Sequence, residues 1–250
     1  ATLTLNRPAA LNALDLPMMD MLVRHTAALA EDGSVRLVIV RGAGRHFMAG
    51  GDLRAFSDRL ETTGGDHRTE FSGIVDRLHA AVEHLQRMPH PVLGVVRGAV
   101  AGFGLSLACA CDLVIASGDA YFSSAYRHVG LTPDGGGTWA LPRIVGLRKA
   151  MEIHLLSERF DAREAERLGI VNRVVDESQL DATVAAWSMT LATGPRLALQ
   201  NVKRLLHDSL DNTLSQQLHA EAQSFGQCAA TGDFAEGLSA FFDKRRPRFN

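Results

Sequence analysis

Asp134 stands in the run Gly130-Leu-Thr-Pro-Asp-Gly-Gly-Gly137, one acid followed at once by three glycines. Two other glycine-rich turns precede it, Met48-Ala-Gly-Gly-Asp52 and Val100-Ala-Gly-Phe-Gly104. Glycine lets a backbone approach a ligand closely and turn its N–H groups inward. Two turns offering amide donors, beside one sheltered acid, can stabilise an oxyanion while a proton is moved. These residue types point to an enzyme.

Such turns need a scaffold, and the chain supplies one. Short aliphatic runs at 37–40, 92–96, 113–116 and 171–175 read as strands, and the opening Thr2-Leu-Thr-Leu5 is strand-like. Helical patterns at 18–30, 70–87, 105–110, 148–156 and 162–168 separate them. Strands alternating with helices predict an α/β architecture with mostly parallel pairing, because parallel strands need crossovers. Residues 54–68 carry several charges and few large apolar side chains, and read as a mobile loop able to act as a lid.

Past Gly194-Pro195 the pattern changes. Val202, Leu206, Leu210, Leu214, Leu218 and Ala222 recur every four residues, an amphipathic helical stripe, and a further helix runs from an Asp233 cap to Phe242. The division is a core over 1–193 and a helical region over 194–250. Two readings of the apolar stripe stand: it packs on another subunit, or it covers its own sheet.

Composition excludes several classes. Apolar residues make up 46% and charged residues 22%, as in ordinary globular proteins. A net charge of −2 provides no field to recruit nucleic acid or an anionic membrane. The dense basic run Lys244-Arg-Arg-Pro-Arg248 reads as a solvated tail or a phosphate contact. Cys109, Cys111 and Cys228 form neither a disulfide framework nor a zinc spacing, which favours a reducing cytoplasm. No HExxH-like pair indicates a metal, and no apolar run reaches the ~18 residues of a membrane span.

The turns differ in what they offer. Gly42-x-Gly44 after a strand is a fragment of a dinucleotide loop, but Phe47 occupies the third glycine position. The Ala49-Gly50-Gly51 corner can present the Gly51 amide instead. Gly102-Phe103-Gly104 leads straight into a helical run, where amides are unpaired and carry partial positive charge. Each such donor to an oxyanion is worth about 2.7–4 kcal/mol in a dry pocket. Alone, either turn is equally consistent with tight packing.

Taken together, Leu5-Asn-Arg-Pro8, Leu11-Asn-Ala-Leu14, Phe47-Met-Ala-Gly-Gly-Asp-Leu53, Gly98-Ala-Val-Ala-Gly-Phe-Gly104, Ala110-Cys-Asp-Leu113, Gly130 to Thr138 and Phe242-Asp-Lys-Arg-Arg-Pro-Arg-Phe249 resemble the crotonase, or enoyl-CoA hydratase/isomerase, superfamily. The resemblance spans the chain. It implies a spiral of ββα turns, a helical trimerisation region (a homotrimer or dimer of trimers), and acyl-CoA thioesters as substrates with no separate cofactor. By motif position, the Gly51 and Phe103 amides form the oxyanion hole. Ala10, Ala49 and Gly50 lie near the adenine and pantetheine of CoA, and Phe241, Lys244 and Arg245 near its nucleotide. Many relatives carry Lys after Arg-Pro, where this chain has Ala9.

One departure bears on the reaction. The two glutamates used by the family's hydratases are replaced by Ser106 and Tyr126, whose hydroxyls are far too weakly acidic to serve as bases near neutral pH. Asp134 resembles the aspartate of the phenylacetate-pathway isomerase branch and of some Δ3-Δ2-enoyl-CoA isomerases. Its role is either a proton shuttle, with a pKa raised by burial, or the N-cap of a helix near 136–138. An isomerase is the expected activity. The rivals are a hydratase and an inactive acyl-CoA-binding homologue; RNA binding fits the charge poorly. His46 and His128 read as structural histidines or polar pocket groups, Trp139 as core or acyl-pocket wall, Asp52 as a loop brace and Asp112 as a turn closure.

Overall fold

The computed structural model describes residues 1–62 and 65–249. In chain order the elements are β1 (Thr2–Leu5), α1 (Leu16–Glu31), β2 (Val38–Gly42), α2 (Leu53–Thr62), α3 (His67–Arg87), β3 (Val92–Val96), β4 (Ala99–Ala101), α4 (Phe103–Cys109), β5 (Leu113–Ser117), β6 (Tyr121–Ser123), α5 (Gly137–Val145), α6 (Leu147–Leu156), β7 (Phe160–Asp161), α7 (Ala162–Arg167), β8 (Arg173–Val175), α8 (Glu177–Ala192), α9 (Arg196–Asp208), α10 (Leu214–Ala229) and α11 (Gly232–Phe242).

Five strands form one parallel sheet in the order β1-β2-β3-β5-β8. Side chains alternate between its faces, as strand geometry demands. Val38, Val40, Val92, Val96 and Val114 join the core beneath α1 and α3, with Met19, Leu22, Ile74, Leu78 and Leu85. Leu37, Leu93, Val95 and Ile115 face the other way and meet Leu180, Val184, Trp187 and Leu191 of α8. Covered on both faces, β3 is buried along its whole length, the reason its sequence is an unbroken aliphatic run.

A second layer, β4-β6-β7, holds the chain's working end. Its strands follow those of the main sheet after short turns: β3 leads to β4 and β5 to β6, with Ala99 paired to Tyr121 in parallel. Isolated parallel bridges extend the layer from Leu14 to Gly51 and from Met48 to Val100. Strand, short second strand and helix therefore repeat along the chain as a ββα spiral, and the glycine turns sit where each second strand ends.

The expected loop at 54–68 is largely helical. Asp52 accepts the Arg54 and Ala55 amides at 3.1 and 3.4 Å, capping α2, and Phe56 meets Phe71 of α3 edge-to-face at 5.7 Å. Thr63 and Gly64, within that expected loop, lie outside the described residues. The four-residue stripe also divides. Thr213 starts a new helix with a reciprocal capping box to Gln216, so Leu206 and Leu214 belong to different helices. The cap of α11 is Thr231, and Asp233 lies in its first turn.

Among the described residues, no helix is long and apolar enough to cross a membrane. No group of three His, Cys, Asp or Glu is placed to hold a metal ion there.

Candidate active site

The first turn is knitted to its neighbours by backbone bonds on both sides of Gly51. Ala49 N donates to Leu11 O at 3.1 Å, Leu14 N to Gly50 O at 2.8 Å, and Asp52 N to Leu14 O at 2.9 Å. Among the described residues, the Gly51 N–H has no acceptor in the chain. Asp52 braces the turn from below through Arg7 Nη2 at 2.9 Å, and Arg7 Nε reaches Asp15 at 3.1 Å.

The second turn leaves β4 through Gly102, at φ 55° and ψ −125°. A Cβ there would crowd Gly50 Cα at 3.2 Å, and the backbone angles themselves favour glycine, so the two turns lie close together. Phe103 then opens α4 with its own N–H unpaired among the described residues, as expected of a first helical residue. The two amides named from sequence, those of Gly51 and Phe103, thus border one cavity. The Phe103 ring is buried and packs beneath Gly135, where a Cβ would come within 2.6 Å of it.

The third segment carries Asp134. Ala125 enters it at φ 63°, a strained left-handed position for a residue with a side chain. Tyr126 follows, and its hydroxyl donates to Asp134 Oδ1. The Asp134 carbonyl accepts Ser106 Oγ at 2.7 Å and Gly137 N at 3.1 Å. Gly135 N donates to His79 Nε2 at 3.1 Å. The cap of α5 is Gly136, with no side-chain cap bond, so the Asp134 carboxylate is not engaged as that helix's cap.

These groups surround a cavity of about 580 Å³. Leu16, Met19, Phe56, Phe71, Val75 and Leu78 make most of it apolar, and Asp134, Tyr126 and His79 supply polar groups. Burial pushes the Asp134 carboxyl above its usual range, against the opposing pull of the Tyr126 hydroxyl. Burial, reinforced by the neighbouring Asp134 charge, also holds the Tyr126 phenol protonated far above its usual pKa. The pair is therefore one carboxylate base and one neutral donor.

Of the other residues singled out from sequence, Ala49 and Gly50 line the cavity, whereas Ala10, Phe241, Lys244 and Arg245 do not. Arg245 pairs with Glu236 at 2.6 Å, and Phe241 is 77% exposed. His46 is structural, its Nδ1 accepting Ala99 N at 3.0 Å. His128 is exposed and Trp139 packs under Arg143, both outside the cavity wall. Ser106 is buried behind the turn and supports it. His79 was not singled out from sequence; it is the polar member of an apolar helical face with Phe71, Val75, Leu78 and Val82, and that interruption was the available signal.

The model of the family described as enoyl-CoA hydratase/isomerase matches residues 1–250. A Rhodobacter capsulatus protein named "Probable enoyl-CoA hydratase" is 39% identical, aligned over 100% of this chain and 93% of its own. The 1,2-epoxyphenylacetyl-CoA isomerase of Escherichia coli K12 is 38% identical, over 99% and 94%. The crystal structure of an enoyl-CoA hydratase from Polaromonas sp. JS666 superposes with a TM-score of 0.92 at 32% identity, covering 100% of this chain and 95% of that one. With its ββα spiral and its paired glycine turns, this chain belongs to the enoyl-CoA hydratase/isomerase family of the crotonase superfamily.

Proposed function

We propose that the protein is an acyl-CoA isomerase that shifts a double bond, or rearranges a ring, through a thioester enolate. The thioester oxygen sits between the Gly51 and Phe103 amides. Asp134 takes a proton from the carbon next to the carbonyl, and the negative charge moves onto that oxygen. In a 3-enoyl thioester the same carboxyl returns the proton at C4 and the double bond settles between C2 and C3. No atom is gained or lost, and a single acid suffices.

The observation that carries this reading is the isolation of Asp134. It shares the cavity wall with the two free amides, and burial raises its pKa above the usual carboxylate range, which strengthens it as a base. Asp15, also on that wall, is engaged by Arg7 and caps α1. Hydration needs a second group to hold and deprotonate water, and Tyr126 is fixed as a donor to Asp134.

The same reading keeps α9–α11 as an oligomerisation region for a homotrimer or dimer of trimers. Its support is apolar surface: Leu214, Phe225 and Phe242 are 74–75% exposed in the single chain, more than isolated solvated side chains require. Phe241, Lys244 and Arg245 then reach CoA bound to a neighbouring copy.

Purified protein given 3-enoyl- and 2-enoyl-CoA in parallel tests the reaction. We expect interconversion of the two enoyl esters with 3-hydroxyacyl-CoA a minor product. Hydration outrunning isomerisation would overturn the assignment.

A further inference from the structure

One titratable side chain of the cavity wall has no part in that proton transfer. His79, on α3, accepts the Gly135 amide through Nε2 at 3.1 Å. A ring nitrogen that accepts carries no proton, so this geometry places the imidazole proton on Nδ1 and leaves the ring neutral.

The bonded amide belongs to the peptide that joins Asp134 to Gly135. The carbonyl of the same peptide takes Ser106 Oγ at 2.7 Å and Gly137 N at 3.1 Å. One peptide plane is thereby held at both ends, by α3 on its N–H and by α4 and the start of α5 on its C=O. A plane held at both ends resists rotation, and it fixes the backbone from which the Asp134 side chain leaves toward the Tyr126 hydroxyl. Gly135 stands at φ 60°, where its missing Cβ would strike the Phe103 ring and Ser106, so packing alone leaves this turn no adjustable side chain of its own.

We propose that His79 is a positioning residue: as a neutral acceptor it locks the Asp134–Gly135 peptide and thereby aims the carboxylate at the bound thioester. The role rests on Asp134 as the proton carrier, and His79 itself carries no proton in the reaction. It acts on the turnover step more than on substrate binding, because misplacing a reacting group by about 1 Å can cost 10²-fold in rate.

His79→Gln and His79→Leu test this, with Asp134→Asn as the control. The Gln amide oxygen can take the Gly135 N–H; Leu cannot. We expect His79→Leu to lower kcat by roughly ten- to a hundredfold with KM within about twofold, and His79→Gln to recover most of the loss. His79→Asn, too short to reach the amide, replaces the Leu variant if that chain does not fold. Wild-type kcat in the Leu or Asn variant would overturn the proposal. So would equal inactivity of Gln and Leu variants that still bind the ester, since that pattern belongs to a proton carrier. Turnover surviving in Asp134→Asn marks failure of the underlying reading. A dead Asp134→Asn beside a fully active His79→Leu marks failure of the positioning role alone.

Discussion

Asp112 and Asp134 sit on either side of the same short helix, α4, and are wired in opposite ways. Asp112 receives Val92 N at 2.7 Å, Lys203 Nζ at 2.8 Å and His207 Nε2 at 3.3 Å. Lys203 gives its other two protons to Leu85 O at 2.8 Å and His90 O at 3.1 Å, which satisfies all three donors of a buried ammonium. Burial lowers the Lys203 pKa, while Asp112 pulls it back up. Asp134 has one neutral side-chain donor, the Tyr126 hydroxyl, and a mostly apolar cavity in front of it. Compensated charge fastens α9 to the sheet; uncompensated charge is left to react.

That contrast can be broken by one conservative change on each side. Asp112→Asn leaves Lys203 buried without its counter-charge, and we expect a loss of about 3 kcal/mol in unfolding free energy. Denaturant titration reads it directly, and kcat of the folded enzyme should stay near wild type. A variant of unchanged stability would show that the clamp contributes nothing.

Tyr126→Phe sharpens the other side with a smaller effect. The Tyr126 hydroxyl stabilises the carboxylate form and lowers the Asp134 pKa, whereas burial raises it. Without the hydroxyl the pKa rises further, less base is present at any given pH, and the acid limb of kcat/KM moves to higher pH. The loss should be roughly tenfold on the acid side of that limb, the effect of a one-unit shift, and should fade at higher pH. A limb that moves downward, or not at all, would remove Tyr126 from the site.

Much of this scaffold was legible in the residues themselves. Strands such as Val92-Leu-Gly-Val-Val96 stand out because a parallel sheet covered on both faces needs unbroken aliphatic runs. The second layer was not readable: β4, β6 and β7 have two or three residues each, too few for a period. Helix α2 reads as a loop in the sequence because its surface is charged and its order comes from Asp52 at its start and Phe71 from α3. Helix α8 carries a stripe of Leu180, Val184, Trp187 and Leu191 that packs on the sheet. Within the site, Gly51, Phe103 and Asp134 were identifiable through ordered motifs. His79 was not, because its partner Gly135 lies 56 residues away and a lone histidine on an apolar helix face advertises no chemistry.

The central claim is that Asp134 alone moves the proton. Asp134→Asn, compared with wild type in deuterated water on a 3-enoyl-CoA ester, tests it most directly. Asp134 has a raised pKa in the folded state, so its ionisation costs stability as pH rises; the neutral amide should leave thermal stability at pH 7 equal or slightly higher. The account predicts a folded variant that still binds the ester and has lost isomerisation and deuterium incorporation by about 10²–10⁴-fold. Deuterium entering product at the wild-type rate in that variant would contradict it.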